Sequence, residues 1–406
     1  MQSARAALAA DDASGARQHL LAADSLIGGH TVAKWALATL AAHEGDRVGV
    51  LRWLGALADA GITRPVAADS AFTRWREDPE FRAVAARLDA NGDATRNASL
   101  ARVLNDAALL TEDVAWDARG RRFLVSSIHE SKIVAIDGDG IVTDFTISGA
   151  TGIWGVYGLA LDAKRGVLWA TTAAGPECDG YETADSGRTA LLSFDVGTAR
   201  VLRRLELPRT AARQALGDLT VAPDGIVYAC ESYGGAVYRL PRGGAALETL
   251  VAPGTFRSPQ TPALAKDGRR LYVADYARGI AAIRFSTRAV EWMPKPYTLA
   301  SAGIDGLYRD GTHLIAIQNG TTPHRVLDLT LDAAGSKITA WRVLEQASER
   351  LGEPNHGVLV GRDFYFIGDS GWDRVGGDGR LETTLESRPP VLLKLALERG
   401  ASANVK

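Results

Sequence analysis

The feature that most constrains this chain is a unit of four short apolar strands that recurs six times between about residue 100 and the C-terminus. In each unit a first strand runs through a tight polar turn into a second strand rich in Val, Ile, Leu, Tyr and Phe. The first strands are DVAWD (113–117), GLALD (158–162), LTVAPD (219–224), ALAKD (263–267), GLYRD (306–310) and GVLVG (357–361). Propeller blades of four strands recur about every 40–50 residues, close to the interval seen here. The repeat therefore predicts a mainly β fold, a six-bladed β-propeller.

The predicted ring needs one strand that the last unit does not contain. That unit ends at VLLKLAL (391–397) without a fourth strand, whereas ARVLN (101–105) precedes the first unit and has no partner of its own. Pairing the two segments would complete the sixth blade and remove the open edges that repeated sheets otherwise expose. We therefore expect residues 101–105 to supply the outer strand of the last blade.

The chain ahead of the repeat has the spacing of helices rather than strands. One helical stripe is formed by Val32, Trp35, Ala36 and Leu40. Asp78 followed by Pro79 is typical of a helix N-terminus. Paired helices of this length resemble tetratricopeptide-type hairpins. The prediction is a small all-α helical-hairpin domain at residues 1–98 before a propeller at residues 99–406. Whether the helices only cap the propeller or offer a groove to a protein partner is left open.

Composition excludes several classes of function. The net charge is −2, from 46 Lys and Arg against 48 Asp and Glu, so no basic surplus favours nucleic acid. The apolar runs are too short to span a membrane, and the N-terminal segment lacks the apolar core of a secretory signal. The sequence as given predicts a cytoplasmic protein that acts on a small molecule. A periplasmic location would apply if a signal peptide had been removed.

Six equivalent positions converge on one rim of the predicted tunnel, because the first strand of each blade lines it. These positions hold Glu112, Tyr157, Gly217 with Asp218, Gln260, Asp305 and His356. Carboxylates brought so close together raise one another's pKa. A divalent cation removes that cost, and Ca²⁺ binds about six to eight oxygen atoms from carboxylates, amides and water. The set therefore predicts a bound divalent cation, with Ca²⁺ as the candidate.

Four phrases of the repeat carry a family resemblance: TEDVAWD, GDLTVAPDG, PQTPALAKDGRRLYVAD and IDGLY. They resemble the senescence marker protein/gluconolactonase family of six-bladed propellers, which includes regucalcin and related lactonases. The resemblance extends from about residue 105 to residue 397. It implies metal ligands at Glu112, Gln260 and Asp305. Two positions depart from the family's pattern, because Gly217 and Gln260 each stand where the family has asparagine.

The resemblance implies a divalent-metal-dependent hydrolase of lactones or esters. The cation would polarise the ester carbonyl and lower the pKa of a bound water. Asp218 or Asp305 would act as general base, and His356 would assist proton transfer. The candidate substrate-binding residues are Tyr157, Asp218 and Trp372. Two alternatives stay open: a non-catalytic propeller that binds a partner around a degenerate metal site, and a lyase or condensing enzyme like the strictosidine-synthase-type propellers.

Overall fold

The computed structural model describes residues 1–147, 152–210, 213–382 and 388–397. Helices come first: α1 (Gln2–Ala9), α2 (Ala13–Ile27), α3 (Thr31–Glu44), α4 (Arg47–Asp59) and α5 (Pro79–Ala90), with a 3-10 helix at Ser70–Trp75. Asp46 and Asp78 are the N-caps of α4 and α5, and each side chain accepts backbone N–H groups of the first turn. Pro79 opens α5, as the sequence predicts.

The buried face of α3 differs from the predicted stripe. Val32 is 47% exposed, whereas Ala33, Leu37 and Ala41 have no exposed surface. Helix α3 packs between α2 and α4, and at that close spacing small side chains fill the contact best. Of the predicted stripe, Leu40 is buried and Trp35 and Ala36 pack against the core, so only Val32 was wrongly assigned to the buried face. The centre of that face is rich in alanine.

The rest of the described chain forms six four-stranded antiparallel sheets in sequence order. Blade one holds β2 (Val114–Asp117), β3 (Arg122–Ser127), β4 (Lys132–Ile136) and β5 (Val142–Asp144). Blade two holds β6 (Gly155–Asp162), β7 (Val167–Ala173), β8 (Thr189–Asp195) and β9 (Val201–Glu206). Blade three holds β10 (Leu216–Val221), β11 (Val227–Glu231), β12 (Ala236–Leu240) and β13 (Glu248–Val251). The six-bladed propeller is thus confirmed.

The remaining blades follow the same order. Blade four holds β14 (Pro259–Leu264), β15 (Arg270–Asp275), β16 (Gly279–Arg284) and β17 (Val290–Trp292). Blade five holds β18 (Ile304–Asp310), β19 (His313–Gln318), β20 (Arg325–Leu331) and β21 (Ile338–Gln346). Blade six holds β22 (Gly357–Val360), β23 (Asp363–Asp369), β24 (Val391–Ala396) and β1 (Ala98–Val103). Apolar clusters lie between neighbouring blades, such as the one that joins blades four and five.

The ring closes through the first and last strands of the propeller. Strand β1 pairs antiparallel with β24, and Leu100 lies opposite Leu393. Strand β1 begins at Ala98, slightly earlier than the predicted segment, and ends at Val103. The inference that the segment before the first unit supplies the missing outer strand is confirmed.

The helical unit, as we call α1–α5 with their connections, packs against blade five and the segment that leads into it. Ala300 belongs to the same buried apolar cluster as Leu37 and Leu54. The Tyr297 hydroxyl donates to Asp24 over 2.6 Å. These contacts join the helices to the propeller, while the domain boundary at residue 98 and the tetratricopeptide likeness stay predictions. Among the described residues, no helix is both long and apolar enough to cross a bilayer.

Candidate metal and acid–base centre

A β-bulge interrupts the first strand of four blades at the same point. The ladder between first and second strands breaks between Val156 and Leu159, Leu216 and Leu219, Pro259 and Pro262, and Ile304 and Leu307. Residues at a bulge leave the regular alternation, so a bulge redirects side chains. In blades one and six, the two residues before the first ladder pair occupy the equivalent places. Each blade therefore delivers two consecutive residues to one end of the tunnel.

These residues form two tiers. The outer tier is Glu112, Tyr157, Gly217, Gln260, Asp305 and Asn355, and the inner tier is Asp113, Gly158, Asp218, Thr261, Gly306 and His356. The sequence analysis assigned His356 to the same set as Glu112. The register corrects this assignment: Asn355 is the equivalent of Glu112, and His356 lies one tier deeper.

Cavities approach the two tiers from opposite ends of the tunnel. The outer cavity has a volume of about 470 Å³. Its polar lining includes Glu112, Gln260, Asp305, Asn319, Glu353 and Asn355. The cavity at the other end measures about 400 Å³ and is lined by the first strands, with Asp113 and Thr261 at its inner limit. Asp218 and His356 lie between the two cavities and are almost fully buried.

Hydrogen bonds hold the outer-tier carboxylates in place. Glu112 accepts from Asn355 Nδ2 over 2.7 Å and from the indole N–H of Trp372. Asp305 accepts from Asn319 Nδ2 over 2.7 Å, and the same Nδ2 group lies 3.0 Å from Asn355 Oδ1. Asn319 and Asn355 thereby connect the two acids across blades five and six.

Asn319, a residue of the outer-cavity lining, has an acceptor atom that is unused among the described residues. Its Nδ2 group donates to Asp305, to Asn355 and to the carbonyl oxygen of Pro354. Its Oδ1 atom is buried and has no hydrogen-bond partner among the described residues. A buried polar atom without a partner is costly, so this oxygen is suited to a ligand in the cavity.

The inner tier sets one imidazole among carboxylates. His356 Nε2 lies 3.4 Å from Asp218 Oδ2 and 3.6 Å from Asp305 Oδ1. Thr261 donates to Asp218 over 3.3 Å. The Asp113 oxygens accept backbone N–H groups of Val114 and Leu159, both over 2.7 Å, so Asp113 fastens blade one to blade two.

Burial and mutual repulsion perturb the protonation of this cluster. Burial raises the pKa of Asp113 to about 6 and, with the nearby Asp305 carboxylate, the pKa of Asp218 to about 7. Burial and the same carboxylate raise the pKa of Glu112 well above its usual range. Burial alone would lower the pKa of His356, but Asp218 and Asp305 outweigh it and raise that pKa well above 6.5. One imidazole thus faces four acids, and a bound cation would reduce the repulsion among their carboxylates.

The structure places the predicted site residues as follows. Glu112, Gln260 and Asp305 line the outer cavity together, and the Gln260 amide donates to Ser258 Oγ over 3.0 Å. Trp372 lines the same cavity from a short 3-10 helix, Trp372–Arg374. The Tyr157 hydroxyl donates to Glu177, a buried residue of the long loop in blade two.

Three polar residues of the centre escaped the sequence analysis. Asp113 and Asn355 directly adjoin the predicted positions Glu112 and His356, so reading two residues per blade would have found them. Asn319 follows the second strand of blade five, β19. The prediction used only the starts of first strands, whereas polar residues also follow second strands, as Ser232, Asn319 and Ser370 do.

The chelator-treated protein is expected to lose stability as pH rises. The folded-state pKa values of Asp113 and Asp218 lie above those of unfolded chains, about 3.9 for aspartate. Their contribution is therefore complete at low pH and is lost as pH rises through 6 and 7, the folded values. His356, whose pKa is also raised, acts in the same direction at higher pH. Melting temperatures between about pH 5 and 8.5 measure the effect.

Asp218→Asn is the control for this pH dependence, because asparagine does not titrate. Its melting temperature should fall less steeply over the same range than that of the wild-type protein, and the difference isolates one buried carboxyl from the surface acids. Parallel curves for the two proteins would contradict the assignment.

Comparisons with known proteins show the fold of this chain but not its family. No family model matches the chain, and no curated protein is similar to it in sequence. Among solved structures, a luciferin-regenerating enzyme is similar with a TM-score of 0.53 and 12% identity, over 76% of this chain and 96% of that one. A gluconolactonase from Xanthomonas campestris has a TM-score of 0.47 and 17% identity, over 75% and 100% of the two chains. A streptogramin B lyase has a TM-score of 0.49 and 13% identity, over 72% and 96%. At these identities the likeness shows the propeller fold alone.

Proposed function

We propose that this protein is a divalent-metal-dependent hydrolase of lactones or esters that works in the outer cavity. One observation carries the proposal: potential ligand oxygen atoms of Glu112 and Asp305 lie within 4.8 Å of each other, and both residues line the outer cavity. The lactone and ester class follows the sequence resemblance, which covers the same residues.

The donor set fits a hard cation. Glu112 and Asp305 offer carboxylate oxygens, and Asn319 offers an amide oxygen that has no partner among the described residues. Ca²⁺ prefers such oxygen ligands. Gln260, in the same cavity wall, supplies a further carboxamide. Burial opposes protonation of His356, but Asp218 and Asp305 outweigh it and raise its pKa; because both acids lie beside its Nε2 atom, we assign it a role as counter-charge rather than as a ligand.

The residues of the chain divide the chemistry between the two tiers. A divalent cation, when bound, polarises the ester carbonyl and lowers the pKa of an adjacent water. Asp305 lines the cavity, so its carboxylate is the group that accepts a proton from that water as the water oxygen bonds to the carbonyl carbon. The ester C–O bond then breaks, and the leaving oxygen takes up the proton. His356, whose Nε2 atom is 3.6 Å from Asp305, stabilises the charge of Asp305 during this exchange. Asp218, 3.4 Å from the same Nε2 atom, stabilises the positive charge of His356.

The cavity suits a small molecule with an apolar part. Its volume of about 470 Å³ falls within the range of about 300–1,000 Å³ typical of small-ligand sites. Tyr276 and Trp372 give it two aromatic walls. Trp372 also donates to Glu112, so a substrate packed on its ring would lie beside the proposed cation ligand. Tyr157, bonded to Glu177, supports this wall from behind, since Tyr157 and Trp372 pack against one apolar cluster.

Elemental analysis and a substrate panel test the proposal. We expect about one divalent ion per purified chain, and hydrolysis of some members of a lactone and ester panel that stops on addition of a chelator and returns with excess Ca²⁺. A bound ion at ~100 times its dissociation constant stabilises the folded state by about 2.7 kcal/mol. A chelator should therefore lower the melting temperature.

The opposite result favours a different class of protein. The hydrolase proposal fails if metal analysis finds no stoichiometric ion and the chelator does not change the melting temperature. The non-catalytic propeller with a degenerate metal site then becomes the better account, because Gly217 and Gln260 already depart from the family's metal-site pattern.

A further inference from the structure

Arg325 is a fully buried arginine at the contact between the helical unit and blade five. It opens strand β20. Its Nη1 atom donates to the carbonyl oxygens of Ala60 and Gly61 over 3.1 and 3.0 Å, and its Nε atom donates to Gln318 Oε1 over 2.7 Å. Ala60 is the C-cap of α4. The guanidinium therefore meets carbonyl groups that the helix leaves without an internal partner, at the negative end of its dipole.

The stability of the fold alone does not explain why the charged guanidinium of Arg325 is buried. The described partners of Arg325 are neutral groups, together with the Trp341 ring 5.3 Å away. Burial lowers the pKa of the guanidinium to about 10. A buried charge of this kind often stabilises a protein no better than a well-packed apolar side chain. The planar fork of arginine nevertheless fixes several acceptors in one geometry, which points to a positioning role.

A short chain of bonds links Arg325 to the outer cavity. The Gln318 amide group donates to the carbonyl oxygens of Ala300 and Ala302, both over 2.7 Å, so Gln318 is held from both ends. The next residue is Asn319, which lines the outer cavity and donates to Asp305. Three side chains, those of Arg325, Gln318 and Asn319, thus separate the end of α4 from the proposed cation ligand Asp305.

The connection from β19 to β20, residues 319–324, contacts the helical unit and the cavity wall at once. The Thr322 carbonyl oxygen accepts from the Thr63 N–H over 2.9 Å on the helical side. His324 Nδ1 lies 2.8 Å from the carbonyl oxygen of Gly352, beside the cavity residue Glu353. The backbone at Gly320 passes so close to Gly303 that a Cβ atom there would lie 2.4 Å from the Cα atom of Gly303. The connection is therefore closely packed between the helical unit and the cavity wall.

We propose that Arg325 is a positioning residue through which the helical unit holds Asn319, and with it Asp305 and Asn355, in the arrangement of the outer cavity. The inference rests on the proposed function in one respect, because it concerns the same cavity. The helical unit is then part of the site's architecture, and a ligand that shifts α4 would alter the site.

Arg325→Met in the full-length chain tests this inference, with Lys295→Met as the matched control. Lys295 is a half-buried cation at the same interface: its Nζ atom donates to Gly28, the C-cap of α2, and to Leu299, so its contacts lie outside residues 318–324. We expect Arg325→Met to speed amide hydrogen exchange at Asn355 and His356 by about tenfold or more, and to weaken terbium binding by a similar factor. Lys295→Met should change either quantity by less than about twofold.

Two further variants keep the test decisive if Arg325→Met does not fold. Gly61 has a φ of +68°, and a Cβ atom there would lie 2.7 Å from Arg325 Nη1, so Gly61→Ala should displace the guanidinium without removing it. Gly61→Ala should therefore loosen the same amides. Arg325→Lys keeps the positive charge but loses the planar fork of the guanidinium. Amide exchange in this variant should therefore be slower than in Arg325→Met but faster than in the wild-type protein.

The outcomes separate this inference from the proposed function. Folded Arg325→Met protein with wild-type exchange at Asn355 and His356 would overturn the positioning role, as would equal loosening by Lys295→Met. If the wild-type protein binds no terbium and hydrolyses nothing, the proposed function fails, while the exchange measurements still decide whether Arg325 positions the cavity.

Discussion

The Asp305→Asn protein is expected to bind no stoichiometric divalent cation and to lose at least about 10²–10³-fold in hydrolysis, the loss typical when one charged group that acts on the transition state is removed. Asparagine keeps the shape of the side chain and its contact with Asn319 but removes the negative charge. Asp305 is both a proposed ligand and the proposed base, so two functions disappear together. Calorimetric metal titration and initial rates on the most active ester measure the two losses.

The control for this substitution is Asp224→Asn, in an exposed turn of blade three where the aspartate oxygen accepts only a local backbone N–H, that of Ile226. It should leave metal binding and rate unchanged. Glu112→Gln should behave like Asp305→Asn, because it also removes a charged ligand. Retention of the metal-induced rise in melting temperature by both site variants would show that the cation, if bound, lies elsewhere.

A chain that begins at residue 107 is expected not to fold into a stable propeller, whereas a chain that begins at residue 96 is expected to melt cooperatively. The longer chain keeps β1, which pairs with β24 along the outer edge of blade six. The shorter one leaves β24 as an open edge and exposes the apolar contacts of Leu393 and Leu395, both buried. It also breaks the link between the ends of the ring, so blades one and six are no longer held in one sheet.

Thermal melts and near-ultraviolet circular dichroism of the two truncated chains measure this difference. Both lack the helical unit, so the loss of the carbonyl partners of Arg325 is common to them and cancels in the comparison. Equal cooperative melting of the two chains would contradict closure by β1. Adding a synthetic peptide of residues 96–106 to the shorter chain should restore part of the lost signal, because pairing between β1 and β24 is a local strand addition.

The blade count and the closing strand could be predicted because each depends on a local pattern that repeats. Alternating apolar residues and polar turns mark every strand pair, and the missing fourth strand after residue 397 pointed directly to the unpaired segment before the first unit. The boundaries of first strands were less accurate. Four of them begin earlier than predicted, because a bulge lets the strand continue through Tyr157, Asp218, Gln260 and Asp305.

The candidate site could be predicted only in part, because the bulges that moved the strand boundaries also changed which residues face the tunnel. Equivalent positions in a repeat must meet at the axis, so Glu112 and Asp305 were expected to converge from blades one and five. In four blades a bulge brings in a second residue, and in every blade this second residue belongs to the inner tier. Asn355 and not His356 is the equivalent of Glu112 because of the register between the first and second strands of blade six. The sequence does not define that register, because the blades differ in length.

The sequence by itself determined the propeller, its closure and the convergence of two acids at one end of the tunnel, because periodic patterning and repeat symmetry are local properties that add up along the chain. Only the tertiary structure decided the two tiers, the unused oxygen of Asn319 and the link from α4 through Arg325 to the cavity. These features arise where segments distant in sequence meet, as Ala60 and Arg325 do. Such meetings depend on packing and hydrogen-bond partners that no local pattern records.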